Sequence, residues 1–114
     1  MTIRDICQAL NAEVLNGEDR LDREVNSAFS SDLMSDVLAF VQERTVLITG
    51  LVNIHVFRTA QMIDVFCIVF SRGKKPSGEL LEMGKNMKIT MLCTEYTSYE
   101  TCGILYAKGL SSIE

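Results

Sequence analysis

The chain of 114 residues contains no tryptophan, one proline and one histidine. Each scarcity removes a class of function. A single histidine cannot build a His-rich metal site, and the four cysteines, at positions 7, 67, 93 and 102, form no Cys-x-x-Cys. Zinc, iron–sulfur and thioredoxin-like redox chemistry therefore lack their usual spacing. There is no Gly-x-x-x-x-Gly-Lys-Ser/Thr, no Gly-x-Gly-x-x-Gly and no Gly-x-Ser-x-Gly, so P-loop, dinucleotide-fold and hydrolase-type sites have no signature. No apolar run reaches the ~18 residues of a membrane helix, because Thr49, Asn53, His55 and Arg58 interrupt the longest candidate. Arg4 and Asp5 break the N-terminus before any apolar leader begins, so reduced thiols in a cytoplasmic protein are expected. Basic side chains are outnumbered 15 to 11, for a formal net charge of −4. That balance argues against nucleic-acid or anionic-membrane partners.

What is present is a 47% hydrophobic chain, enough for one core in one domain spanning residues 1–114. Thr2-Ile3-Arg4-Asp5 reads as a capping box with Asp in place of Glu, opening a helix that carries Ile3, Ile6, Cys7 and Leu10. Residues 13–17 read as a strand ending in a glycine turn, and 24–29 as a second strand after a polar loop. Asp32 to Val41 suits a helix. From residue 45 the order is strand (45–49), helix capped by Asn53, strand (65–70), helix capped by Ser77, strand (89–92) and helix. The last helix opens on the Thr97-Ser98-Tyr99-Glu100 capping box and ends at Gly109. Ser111 and Ser112 read as a tail. This alternation predicts an α/β fold, a single layered domain with a mainly parallel central sheet flanked by helices.

Ligands of such sheets sit beyond the C-terminal ends of the strands. Those ends supply Ser30 and Ser31, Thr49 and Gly50, residues 71–75, and residues 94–97, with Thr94 the first of them. Arg72, Lys74 and Lys75 concentrate three cations in a chain that is acidic elsewhere, and with the following helix N-terminus they suit a phosphate or carboxylate. A solvated strand–helix turn explains the same residues. His55, Arg58, Thr59 and Met62 share one helical face, opposite Val56 and Ala60, so His55 is expected to look outward as an ordinary surface histidine. Asp32 and Asp36 lie one turn apart, and Asp32 near a helix start is explained by its dipole. No reagent set for catalysis emerges, and no metal or cofactor is expected.

The helix from Asp32 to Val41 is more informative. Leu33, Met34, Val37, Leu38, Phe40 and Val41 spread beyond the stripe that one sheet face covers. Either another helix of the same chain covers the excess or, the leading expectation, a two-fold homodimer contact built from Leu33, Met34, Val37, Phe40 and Val41 does.

Several segments together resemble a DRTGG domain: Leu21-Asp22-Arg23-Glu24-Val25, Ser31 to Leu38, Val46-Leu47-Ile48-Thr49-Gly50, Gly73-Lys74-Lys75-Pro76, Thr94-Glu95-Tyr96 and Cys102-Gly103-Ile104-Leu105-Tyr106. The likeness runs from about residue 2 to residue 110. It implies a fold akin to the N-terminal domain of HPr kinase and a non-catalytic module of the kind found between CBS domains in some pyrophosphatases and within some phosphotransacetylases. Free-standing members in anaerobic bacteria imply regulation or assembly, often with self-association. The chain departs from the family where the Asp-Arg pair would fall, near Val52 and Asn53. Only Gly73 remains of the Gly-Gly pair, with Arg72 beside it and Ser71 near the family's Thr. Lys88 stands where glycine is common, which implies strain at a left-handed helix exit.

The leading expectation is a non-enzymatic regulatory or scaffold module, a homodimer that also binds a protein partner. Its alternative is a small-anion or nucleotide sensor holding a phosphorylated ligand with Gly50, Asn53, Arg72, Gly73, Lys74 and Thr94. An enzyme using His55 as a base stands third.

Overall fold

Apolar residues alternate to both sides of the central strands, and that pattern decides the layering. In the computed structural model, which describes residues 1–113, β1 is Glu13–Asn16, β2 Ser27–Ser30, β3 Thr45–Thr49, β4 Cys67–Phe70, β5 Thr90–Cys93 and β6 Ser111–Ser112. The six form one sheet in the order β1-β5-β4-β3-β2-β6. All neighbours are parallel except β1, which runs antiparallel along the β5 edge. The fold is therefore the α/β sandwich expected of the alternating sequence.

On one face, Val46, Ile48, Cys67, Val69 and Leu92 meet Ile3, Ile6 and Leu10 of α1 (Ile3–Leu10) and Leu105 of α5 (Ser98–Ala107). On the other, Leu47, Ile68, Phe70 and Met91 meet Val37 of α2 (Met34–Phe40) and Val56, Phe57 and Ala60 of α3 (Ile54–Met62). Leu80, Leu81 and Met83 of α4 (Gly78–Asn86) pack on the same cluster. Burial on both faces is why β3, β4 and β5 read as continuous apolar runs.

Local signals set the helix starts. The Thr2 hydroxyl accepts from the Asp5 N–H at 3.1 Å while the Asp5 carboxylate accepts from the Thr2 N–H at 2.9 Å. Thr97 and Glu100 repeat the arrangement at α5, and Asn53 Oδ1 accepts from the His55 and Val56 N–H groups at α3. Ser77 flanks α4 without a side-chain cap.

Four expectations need correction. Residues 111–112 are an edge strand, since β2 offers its free edge to any backbone that returns alongside it. The second strand begins at Ser27 rather than residue 24; Glu24 only bridges Thr2. Thr59 is buried, because it flanks the Val56–Ala60 stripe, while His55, Arg58 and Met62 are exposed as expected. Val37 is fully buried in the core, so its side chain cannot meet a second copy. Met34 and Val41 are also packed against that core in part. The exposed apolar residues flanking and within α2 are Leu33, Leu38 and Phe40, with Phe40 tilted against Phe29 at a ring-centroid distance of 6.3 Å.

Candidate functional site

The parallel topology brings the ends of β2, β3, β4 and β5 to one edge of the sheet, where their loops are tied by side-chain hydrogen bonds. Asp32, after β2, reaches across to β3: its Oδ1 accepts from the Thr49 hydroxyl at 2.8 Å and from the Gly50 N–H at 2.9 Å. The Thr49 oxygen in turn accepts from the Leu51 N–H at 3.1 Å. Between β4 and α5, the hydroxyls of buried Ser71 and of Ser98 lie 2.9 Å apart. Ser71 was expected at this edge, whereas Asp32 and Ser98 were not among the strand-end residues singled out from the sequence. Their signal was position alone, since each is a short polar residue that a parallel sheet delivers to this edge.

The basic turn is built differently from the expectation. The N–H of Arg72 donates to the Tyr96 carbonyl and that of Gly73 to the Thr94 carbonyl, both at 2.8 Å, and that of Lys74 donates to the Ser71 carbonyl. With these amides engaged, the turn offers no backbone cradle for an anion; only its side chains remain. Lys75 pairs with Glu13 at 2.8 Å, and that carboxylate raises its pKa. Arg72 and Lys74 are exposed and form no ion pair among the described residues. Gly73 is held at φ +68°, and a β-carbon there would come within 2.7 Å of a Glu95 carboxylate oxygen. That left-handed backbone favours glycine at this position.

Other expected ligand residues face inward. The Thr94 hydroxyl is buried and donates to the Leu10 carbonyl at 2.9 Å. Asn53 uses its Oδ1 as the α3 cap. The edge thus brings together Gly50, Arg72, Gly73 and Lys74 as accessible groups, while Thr94 and the Asn53 oxygen serve the fold. His55 sits in the first turn of α3, exposed. Among the described residues no group of three or more His, Cys, Asp or Glu side chains is arranged to hold a metal. The cysteines are free thiols. Burial pushes the Cys67 pKa up to about 12, and burial also raises that of Cys93, whose Sγ lies 3.2 Å from the Lys74 carbonyl. Neither is poised as a thiolate nucleophile. No helix of the described residues is long and apolar enough to cross a membrane.

A family model for the DRTGG domain matches residues 5–107. The chain belongs to the DRTGG domain family. A similar solved structure contains the CBS and DRTGG domains of the regulatory region of Clostridium perfringens pyrophosphatase, complexed with its activator diadenosine tetraphosphate. The two superpose with a TM-score of 0.72 at 20% sequence identity, over 91% of this chain and 45% of that one. This DRTGG domain therefore spans under half the length of that neighbour, and the likeness is one of fold. No curated protein sequence matches the chain. Within the family frame, the departures have a backbone consequence. Arg72, in the place of one family glycine, and Lys88, where glycine is common, both adopt left-handed φ values, 57° and 58°. The backbone geometry that glycine favours is retained without the glycine.

Proposed function

We propose that this DRTGG domain, as one unit over residues 1–114, is a non-enzymatic regulatory module that senses a small phosphorylated ligand at the C-terminal edge of its sheet. The observation that carries this reading is the pair of exposed cations, Arg72 and Lys74, which form no ion pair among the described residues and are set on the loop where open α/β sheets take their ligands. The regulatory region of the pyrophosphatase neighbour, which holds a nucleotide activator, supports the ligand class. Gly50 lets a ligand approach the backbone, Gly73 holds the left-handed turn that carries the two cations, and Asn53 and Thr94 fix the loops around it. Nucleic acid, membrane and resident cofactor play no part, and the four free thiols suit a cytoplasmic protein.

Thermal unfolding with ATP and with inorganic tripolyphosphate tests the reading. A ligand at 100 times its Kd stabilises the native state by about 2.7 kcal/mol, and the shift should vanish in Arg72→Ala with Lys74→Ala. No shift with either probe, or a shift that survives the double substitution, would sink this site.

A second reading has its own observation. Leu33, Leu38 and Phe40 are 58%, 41% and 56% exposed around one short helix, more apolar surface than a solitary helix face usually shows. We propose that this surface, with the part-exposed flanks of Met34 and Val41, mediates a homodimer or contact with a protein partner, through which ligand state is read out. Sedimentation should find a dimer at micromolar concentration and a monomer for Leu33→Ser with Phe40→Ser. A wild-type monomer at that concentration would remove the homodimer.

A further inference from the structure

We propose that a cavity at the opposite, N-terminal edge of the sheet binds an acidic amino acid, a small zwitterion carrying a second carboxylate. The site is independent of the basic turn. Helices α3 and α4 lead into β4 and β5 through the same kind of turn: the Val65 N–H donates to the Ala60 carbonyl and the Ile89 N–H to the Gly84 carbonyl, both at 3.0 Å. Each turn holds one residue in the left-handed region, Asp64 at φ 55° and Lys88 at φ 58°. Glycine is the usual occupant of that position, so opposite charges stand where the backbone asks for no side chain. Because β4 and β5 are parallel neighbours, the two turns lie at the same edge, and Asp64 and Lys88 line one cavity of about 330 Å³. They form no ion pair among the described residues. Two hydrogen-bonded turns thus hold a carboxylate and a cation apart across a space that a ligand can enter.

Arg23 adds a second cation. Its guanidinium carbon lies 3.8 Å from the centroid of the Phe66 ring, and both residues line the cavity. Stacking takes up one face of the guanidinium and orients its plane, which leaves the N–H edge for a planar carboxylate. Arg23 likewise forms no ion pair among the described residues. The lining therefore carries two positive charges and one negative, with Met87 as an apolar stretch beside them. Its complement is two carboxylates, one ammonium and a short hydrocarbon chain. An acidic amino acid has that composition. A polyphosphate does not, since Asp64 would repel it and no ligand ammonium would meet that carboxylate. The volume sits at the low end of the range for ligand pockets, roughly 300–1,000 Å³, which suits a molecule of amino-acid size. Lys88 bears the cost of a left-handed backbone, and the charge it brings to this cavity is what a glycine there could not supply.

Titration calorimetry with L-glutamate, its shorter homologue L-aspartate, glutarate and 4-aminobutyrate decides the point. One of the two amino acids should bind at millimolar concentration or below. Glutarate, which lacks the ammonium, and 4-aminobutyrate, which lacks one carboxylate, should each bind about tenfold or more weakly, the loss expected for one charged hydrogen bond. Lys88→Gly should weaken the amino acid by about tenfold or more while raising the thermal midpoint of the ligand-free protein, so lost binding is not lost folding. Asp64→Asn, which keeps a side chain that tolerates the left-handed turn, should bring the amino acid down to the level of glutarate. Arg72→Ala with Lys74→Ala should leave amino-acid binding unchanged, whatever it does to ATP or tripolyphosphate. Failure of both amino acids to bind would overturn the site without touching the phosphate reading. Glutarate binding as tightly as glutamate, or binding that survives Lys88→Gly, would overturn the assignment of ligand and of cavity respectively. Binding abolished by the Arg72 and Lys74 double substitution would move the ligand to the other edge and overturn it too.

Discussion

Helices α1 and α2 are of nearly equal length and similarly rich in apolar residues, yet they meet the sheet in opposite ways. In α1 the apolar side chains Ile3, Ile6 and Leu10 are fully buried, and the start is fixed by a reciprocal cap. In α2 only Val37 is fully buried, and Leu33 flanks the start without a side-chain cap. Apolar content is thus a poor measure of what a helix contributes to its own fold. Spacing and capping separate the two cases: i, i+3, i+7 in α1 aims one stripe at the sheet, whereas the apolar residues of α2 are spread around its axis. The first helix is built for the core. The second keeps surface to spare.

The largest test of that contrast is truncation. Leu10→Ala should destabilise the fold by about 2–5 kcal/mol, whereas Leu33→Ser in dilute protein should stay within about 0.5 kcal/mol, both read from urea unfolding. Comparable losses would show that α2 is as integral as α1. A smaller effect concerns the α1 cap. Thr2→Ala should cost about 1 kcal/mol, and it should also change the acid limb of stability. The Thr2 N–H and hydroxyl hold the Asp5 carboxyl below its ordinary pKa, so its contribution is present above the usual carboxylate range and is lost as acidification passes through that range to the lowered value. Asp5→Asn should flatten that limb in unfolding measured across acidic pH. The smallest expected change is a gain. Lys88→Gly relieves a left-handed backbone and should stabilise by about 0.5–1 kcal/mol; a loss would mean the Lys88 side chain has a role that its geometry does not reveal.

Much of this was legible because it is local. Capping boxes act over four residues, so Thr2/Asp5 and Thr97/Glu100 announce themselves in any sequence read from left to right. The parallel sheet followed from alternation of elements. What depended on tertiary pairing was not legible. Ser111 and Ser112 have little strand propensity and become β6 only because β2 presents a free edge. Thr94 was indistinguishable from a ligand residue until the Leu10 carbonyl, 84 positions away in sequence, was brought to its hydroxyl. Asp32 was read as a helix-dipole partner because nothing in the sequence says that Thr49 and Gly50 lie beside it. The exposed Arg72 and Lys74, by contrast, were visible as a local reversal of the chain's overall charge.

The β1 edge carries a further consequence, for the order of assembly. Among the described residues β1 pairs with β5 alone, and the surrounding ties, Asn16 to Ile89 and Leu10 to Thr94, close loops of 73 and 84 residues. During synthesis the first structural elements leave the ribosome before the strand they pair with has been translated. Closing so long a loop is entropically costly, and pairings of this range slow folding. The block of β2, β3 and β4, whose pairings are closer in sequence, can form earlier. Ile3, Ile6 and Leu10 can already meet Val46, Ile48, Cys67 and Val69 of that block, but β1 must wait for the last third of the chain to bring β5 alongside it.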